Sequence, residues 1–413
     1  MVRAAVRSSC NAGVLRARSG VGSRQAAHGL WRGTFLRELA GPPLRRNQRR
    51  STPDSPALEP MRGWRVVTPA KALRLVFGAA VGGVGGAVFW VLQLPLPWLI
   101  GALVAVAGTR LAGLPAEADP RLRNGFLGII GIALGAYFTP ATAAVLASKA
   151  GLLLLAAFVT LAIGGALAPL LAKRAKVDMA TAWFSSIPGG VADMAMLAEG
   201  YGGRPAPVAL AQLLRVCSVV VLVPNIFALA GLKGDIPQAS AILPFVPAIL
   251  AAQVGGGLLA GWLLVRLGVR AGWMLGPLSV TAALTASGFA LSGVPPWLSA
   301  LAQVMLGVSL GAAFGRETIR PLRRFLPHAV MQVVQLMAGC AVAGAVLAWA
   351  FGEPIGAMLL GTAPGGVAEM SLTGKVLGLD VALIVTLHVT RIFLVTVLTP
   401  PAFRLLHGEK ARE

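Results

Sequence analysis

Two arginines in this chain stand where a charge is unfavourable unless something uses it. Arg215 and Arg391 each lie inside a long apolar run, nine residues before a proline, Pro224 and Pro400. A charge at the bilayer centre costs roughly 2.5–3.5 kcal/mol on insertion scales, so intramembrane ionisable groups face the bundle interior and pair. Snorkelling is the alternative, disfavoured by the apolar flanks on both sides. Gln212 and His388 precede the arginines by three positions and share their helix face. His388 alone would be a packing histidine; beside Arg391 it becomes a candidate proton relay.

Upstream of each arginine an apolar segment is interrupted, by Pro188, Gly189 and Gly190 in one case and by Pro364, Gly365 and Gly366 in the other. Proline removes a backbone donor and clashes with the preceding turn, while glycine supplies unusual backbone angles. Non-helical backbone at membrane depth survives only where protein or water satisfies it. Each break reads as a tight turn or as a half-helix end whose free N–H groups hold an anion, and two breaks at equivalent positions favour the second. Asp193 and Glu369 follow three residues after the second glycine. They are either acids stabilised by the helix dipole, worth roughly 0.3–1 kcal/mol, or a proton or cation site. The economical arrangement pairs Asp193 and Glu369 with Arg215 and Arg391 across a pseudo-twofold axis, with substrate or protons breaking the pairs. Glu199, Lys375 and Asp380, at the ends of the interrupted segments, read as solvated caps.

These elements belong to one unit written twice. SSIPGGVADM at 185–194 returns as GTAPGGVAEM at 361–370, and the same shift of 176 carries Arg215 to Arg391 and Pro224 to Pro400. It also carries Gly131, Gly135 and Phe138 to Gly307, Gly311 and Phe314, while PWLIGAL at 97–103 matches GWMLGPL at 272–278 with one residue less. Each unit holds six apolar segments, near 71–92, 97–112, 125–146, 150–172, 179–200 and 207–230, then 243–265, 272–292, 297–314, 328–350, 355–375 and 380–403. The four-residue spacing of Gly131 with Gly135, and of Gly307 with Gly311, lets helix backbones approach closely in lipid.

Composition agrees with a membrane class. Apolar residues make up 56% of 413 and charged residues 12%, against roughly 25% charge in soluble domains. The net charge of +21 would suggest nucleic acid, but 11 of the 36 basic residues are arginines in the first 60 positions and many others fall in short connections. That is the positive-inside bias, and no direct nucleic-acid partner is expected. Three cysteines and four histidines, far apart, are too few for a protein-built metal centre, so no metal, cofactor or catalytic residue is expected. No Walker loop or nucleophile elbow is present.

Residues 1–65 form an Arg-rich extension, expected to be disordered. Its acid-poor composition fits a transit peptide or a start codon placed too early; the second is preferred because Met61 opens a short basic amino terminus leading into a first membrane helix. Membrane repeat 1 then spans 66–237, membrane repeat 2 spans 238–407, and 408–413 is a cytoplasmic tail. Basic residues mark the even connections of unit one (Arg110, Arg121, Arg123; Lys173, Arg174, Lys176) and the odd connections of unit two (Arg266, Arg270; Arg316, Arg320, Arg323, Arg324). Basic connections face the cytoplasm, so the units lie upside down relative to each other. Inversion needs an odd number of crossings, which the broken fifth segment supplies by entering and returning. The expected fold is an all-α polytopic membrane protein with two inverted repeats, about ten transmembrane helices and two Pro-Gly-Gly-broken re-entrant hairpins.

The doubled [ST]-x-PGG-VA-[DE]-M signature, each copy followed by a helix with a buried arginine, resembles the AbrB-duplication membrane protein family over residues 66–407. Its members are often labelled AbrB-type transcriptional regulators or ammonia monooxygenases. The resemblance implies a multi-pass bacterial inner-membrane protein of the broad superfamily of inverted-repeat cation and anion transporters, and a link to gene regulation. The chain departs from the family pattern mainly in its long Arg-rich start. The leading expectation is a secondary transporter or exporter of a small solute or ion, with the bilayer as its surroundings and a homodimer as a candidate assembly. The alternatives are a membrane-embedded sensor that alters gene expression indirectly, then an ammonia-oxidising enzyme, for which the residues offer too few metal ligands.

Overall fold

A computed structural model describes residues 68–234, 243–269, 271–289 and 291–407. The extension 1–65 with Met61, and the tail 408–413, lie outside the described residues, which are helical and contain no strand. The first half runs α1 (Pro69–Val91), α2 (Pro97–Leu111), α3 (Pro120–Gly135), α4 (Pro140–Ser148), α5 (Ala150–Ala175), α6 (Met179–Ser186), α7 (Val191–Gly200) and α8 (Pro205–Leu229). The second repeats the series as α9 (Pro247–Arg266), α10 (Gly272–Ala286), α11 (Pro296–Ala312), the short α12 (Arg316–Ile319), α13 (Leu326–Phe351), α14 (Ile355–Thr362), α15 (Val367–Val376) and α16 (Val381–His407).

Local sequence explains many of the boundaries. Proline occupies the start of α1, α2, α3, α4, α8, α9 and α11, where a missing N–H costs nothing. Thr68, Asp119, Thr139 and Asp178 accept hydrogen bonds from the first turns that follow them, as N-caps do. Gly113, Gly231, Gly268, Gly288, Gly352 and Gly378 follow helix ends with positive φ, the conformation that closes a helix without a Cβ clash.

Among the described residues, six helices (α1, α5, α8, α9, α13 and α16) are long and apolar enough to cross a bilayer, or eight spans if each of two bent pairs counts as one. This is fewer than the ten expected. Both α2 and α10 have 15 residues, a rise of about 22 Å against roughly 30 Å of hydrocarbon. The segment expected at 125–146 is not one helix: α3 and α4 meet at 89°, because Thr139 caps a new helix that Pro140 begins. Large apolar side chains face outward on the long helices, among them Val84, Trp90, Phe158, Trp349 and Phe393, as lipid contact requires.

The two halves interlock. α2 packs on α11 while α3 packs on α10; α5 packs on α16 while α8 packs on α13. The pairing is reciprocal down to atoms. A methyl added at Gly131 would lie 2.5 Å from Met274 O and 3.1 Å from Leu278 N, and one at Gly307 would press on Leu99 O and lie 3.0 Å from Leu103 N. Residues 62–413 accordingly cluster as one unit rather than as two bodies.

Contacts among the connections and the helix ends beside them fall into two groups. In one, Arg110 pairs with Glu317 and Arg316 donates to Leu111 O. Arg74 pairs with Glu117 at 3.0 Å, Arg174 reaches the Met331 sulfur, and Arg404 Nε donates to Tyr201 Oη at 2.9 Å. In the other, Lys149 Nζ lies 2.6 Å from Glu353 Oε1, and Gly234 N donates to Leu377 O at 2.9 Å.

Candidate functional site

The breaks form because a helix cannot continue through them. Ile187 and Ala363 are held extended (ψ 128° and 138°) by the prolines that follow, and Gly190 and Gly366 sit in N-cap geometry for α7 and α15. Each interrupted segment doubles back. Arg204 N, beyond α7, donates to Thr181 Oγ1 at the start of α6 (2.7 Å), and Leu379, beyond α15, covers Gly356 at the start of α14. The two segments are therefore hairpins with Pro-Gly-Gly at their tips. Flanking helices leave room for the tips: Gly164 of α5 lies against Ser186, Ile187 and Pro188.

A broken helix leaves carbonyls without partners, and the residues singled out in the sequence supply the donors. Gln212 Nε2 donates to Phe184 O (2.7 Å) and Ile187 O (2.8 Å), and Arg215 Nη2 to Gly189 O (2.9 Å). In the second half Arg391 Nη1 donates to Ala363 O (2.6 Å) and Nη2 to Gly365 O (2.5 Å). The carbonyl that Gln212 holds at Ile187 is thus held by Arg391 at the equivalent Ala363. His388, in the Gln212 position, is released from that work: its Nδ1 contacts Ile384 O of its own helix at 3.0 Å, and its Nε2 is buried with no hydrogen-bond partner. Arg215 Nε, Arg391 Nε and Gln212 Oε1 are likewise buried and unpartnered. Arg215 and Arg391 lie within each other's electrostatic reach.

This corrects one expectation in part. Both guanidinium groups hydrogen-bond to carbonyls of the break in their own half, while Glu369 stands within electrostatic reach of Arg215 across the halves. The carboxylates instead fold back over the N-cap glycines: a methyl at Gly190 would sit 2.6 Å from Asp193 Oδ2, and one at Gly366 would strike Glu369 Oε2. Asp193 and Glu369 occupy the third position of α7 and α15, where an acid complements the helix N-terminus. The reason is that the break leaves carbonyls without helical partners, and each arginine helix docks with its guanidinium within hydrogen-bond distance of those in its own half.

Other polar groups at the breaks escaped the sequence reading. Gln332 of α13 donates to Ser186 Oγ across the halves (2.7 Å). Thr362, equivalent to Ser186, donates to Met358 O (2.8 Å) and reaches Cys340 O (3.1 Å). The signal for Gln332 was available, since it is an amide inside an apolar helix. Of the three residues read as caps, Asp380 accepts from Leu383 N at 3.0 Å and so caps α16, and Glu199 is exposed. Lys375 is half-buried on the wall of a cavity, so it is not a plain solvated cap.

The two tips differ in surroundings. Gly190 and Ala192 are exposed, whereas Ala363, Pro364, Gly365 and most of α15 are buried. α15 packs with α8 and α3 through Val367, Ala368 and Leu372 against Leu213, Val216 and Leu134, and α6 packs on α16 through Trp183 and Phe184 against Phe403, with Met194 and Ala198 of α7 in the same apolar cluster. Each arginine helix therefore grips its own hairpin by hydrogen bonds and covers the other hairpin with apolar side chains.

Paired hairpins with broken tips, inside a bundle of long apolar helices, define a polytopic helical membrane protein whose polar groups converge in its interior. Comparison with known proteins narrows the class: the family described as "Transition state regulatory protein AbrB" matches residues 53–407, and the chain belongs to that family. It is 28% identical over 364 residues to YhjN of Bacillus subtilis (strain 168), covering 80% of this chain and 93% of that protein. It is 27% identical over 324 residues to the protein described as "Putative regulator AbrB" of Escherichia coli (strain K12), covering 76% and 90%.

Proposed function

We propose that this protein is a secondary carrier that moves a small solute or ion across a bacterial inner membrane, binding it between the two hairpin tips, without a chemical step. The observation that carries the reading is the doubled device itself: two broken hairpins of equal build, each held by a buried arginine from the following helix. Interrupted helices at corresponding positions of two repeats are how carriers build a midplane site. The buried, unpartnered Nε atoms of Arg215 and Arg391, with Gln212 Oε1 and His388 Nε2, are groups that a bound solute or proton would satisfy. Asp193 and Glu369 set the charge at the two half-helix ends.

The topology that fits is ten crossings, α2 and α10 included, with one hairpin entering from each side. Both groups of contacts between connections support it. Arg110 with Glu317, Arg74 with Glu117, Arg174 with Met331 and Arg404 with Tyr201 all join connections or helix ends that this topology places on the cytoplasmic side. Lys149 with Glu353 and Gly234 with Leu377 join connections that it places outside. The five crossings per half make the repeats inverted, and the reciprocal pairing of α2 with α11 and α3 with α10 is what a pseudo-twofold axis requires.

The test begins with metabolites compared between cells with and without the gene, followed by flux of the top-ranked solute in vesicles under proton and sodium gradients. Gradient-driven flux that disappears in Arg391→Ala and Arg215→Ala, and in the milder Arg→Lys variants if the first pair misfolds, is the expected result. The relative from Escherichia coli is described as a regulator, which favours a second reading, a membrane sensor acting through a protein partner. Absence of flux for every solute that changes in cells would decide for the sensor.

A further inference from the structure

A groove on the outer face of the bundle carries a charge at one end and apolar side chains along the rest. α3 forms one side of it from Arg121 to Ile132, and Val254 and Leu258 of α9, Pro277 of α10 and Leu298 of α11 form the other. Apart from Arg121, the described residues that line it are apolar. Leu122 and Leu258 are 47% and 37% exposed, so the groove opens on the side where the long helices meet lipid. Its length along α3 is about 16 Å, half of the roughly 30 Å of hydrocarbon and hence the depth of one leaflet. A volume of about 320 Å³ spread over that length leaves a slot about 5 Å wide, room for a polymethylene chain but not for a helix about 10 Å across.

The slot is built into the packing. Gly125 has nothing within 4 Å of where a methyl would stand, whereas a methyl at Gly128 would lie 3.4 Å from Pro277 Cγ. The recess is therefore the space that a missing side chain at 125 leaves beside the seam of α3 on α10. Pro277 also faces Gly131 and Gly257, at 3.4 Å and 2.9 Å from an added methyl, so a chain in the slot presses on the point where α3, α9 and α10 meet. Arg121 is exposed at the start of α3, in the basic connection that also holds Arg110 and Arg123. The acid beside it, Asp119, accepts from Arg121 N at 2.7 Å as the N-cap of α3. The Arg121 side chain supplies the charge at the mouth of the groove.

We infer that this groove holds one acyl chain of an anionic phospholipid of the cytoplasmic leaflet, with the phosphate on Arg121. A guanidinium bonds phosphate through two parallel N–H groups, and basic recesses between membrane helices on the cytoplasmic side collect anionic headgroups. Apolar length and charge together select such a lipid: free phosphate lacks the chain, and phosphatidylcholine carries a cation of its own beside the phosphate. The choice of leaflet follows from the topology above, and the site does not depend on solute carriage.

The full chain, purified in a mild detergent and stripped of lipid, is titrated with phosphatidylglycerol and with phosphatidylcholine of the same acyl chains. Retained lipid is counted by native mass spectrometry. One phosphatidylglycerol should be held about 5-fold more tightly than phosphatidylcholine and should raise the midpoint of thermal unfolding. Arg121→Gln should remove that preference, while Arg324→Gln, at an exposed arginine outside the groove, should keep it. Gly125→Leu, which fills the open space, should abolish retention of either lipid at this site; Leu298→Phe fills it from the opposite wall if Gly125→Leu does not fold. Equal retention of the two lipids, a preference that survives Arg121→Gln, or retention unchanged in both filling variants each overturns the inference. Displacement of the lipid by inorganic phosphate would make this a phosphate site instead. A dimer that forms on stripping and is lost in Gly125→Leu would assign the groove to a second copy of the chain, and either result refutes the lipid.

Discussion

Gly135 and Gly311 allow the interlocking of the halves to be measured. A methyl at Gly135 would lie 2.8 Å from Leu278 O, 2.9 Å from Ala282 N and 2.6 Å from Thr281 Cβ. One at Gly311 would lie 2.7 Å from Leu103 O, 3.0 Å from Ala107 N and 2.9 Å from Val106 Cβ. The obstructing atoms include backbone, so no side-chain rotation relieves the clash. Carbon contacts settle near 3.5–4.0 Å, so the paired helices must separate by about 1 Å, a gap that forfeits a quarter to a half of each lost contact. Overpacking of this kind costs about 1–3 kcal/mol. Gly135→Ala and Gly311→Ala should therefore each raise the unfolded fraction in mixed detergent by about 5-fold to 150-fold, and by similar amounts. Gly108 and Gly125 have nothing within 4 Å of an added methyl, so Gly108→Ala and Gly125→Ala should be neutral or stabilising by up to about 1 kcal/mol through helix propensity. Unfolding followed by tryptophan fluorescence checks all four. A neutral Gly135→Ala or Gly311→Ala, or a pair differing by more than about 2 kcal/mol, would refute reciprocal close packing of α3 on α10 and α2 on α11.

Three further outcomes follow from the same structure. Glu353 is only 8% exposed beside Lys149, so Lys149→Met should destabilise by several kcal/mol through a carboxylate left buried, with Glu353→Gln restoring most of it; Arg74→Met, at a pair 52% and 33% exposed, should cost no more than about 1 kcal/mol. Gly366→Ala should displace the Glu369 carboxylate from the second tip, lowering flux more than it lowers thermal stability, whereas Gly108→Ala should lower neither; equal losses of flux and stability would assign Glu369 a purely structural part. Arg174→Cys and Arg323→Cys should both react with an impermeant reagent from the cytoplasmic side, and labelling from opposite sides would refute the inverted topology.

Much of this organisation is legible in the chain because it is written locally and then written again. The shift of 176 that relates Pro188 to Pro364 and Arg215 to Arg391 locates two helix breaks and two buried charges. Backbone chemistry alone then predicts that a helix stops at Pro-Gly-Gly and that an acid suits the turn that follows. Prolines and threonines likewise mark helix starts, Thr139–Pro140 among them, although the 89° bend there was not anticipated from an apolar run that continues on both sides. What the sequence left undecided is the choice of partner. An arginine in an apolar helix announces that it must be satisfied, not whether by a carboxylate or a carbonyl. That depends on which orphaned group lies within reach after α6 and α14 dock on α8 and α16, and the carbonyls win. The pairing of α2 with α11, the amide that Gln332 lends to Ser186, and the cavity around Lys375 join residues more than a hundred positions apart. Only the packed bundle brings them together, because those contacts are fixed by the shapes of whole helix faces, and no local signal along the chain encodes them.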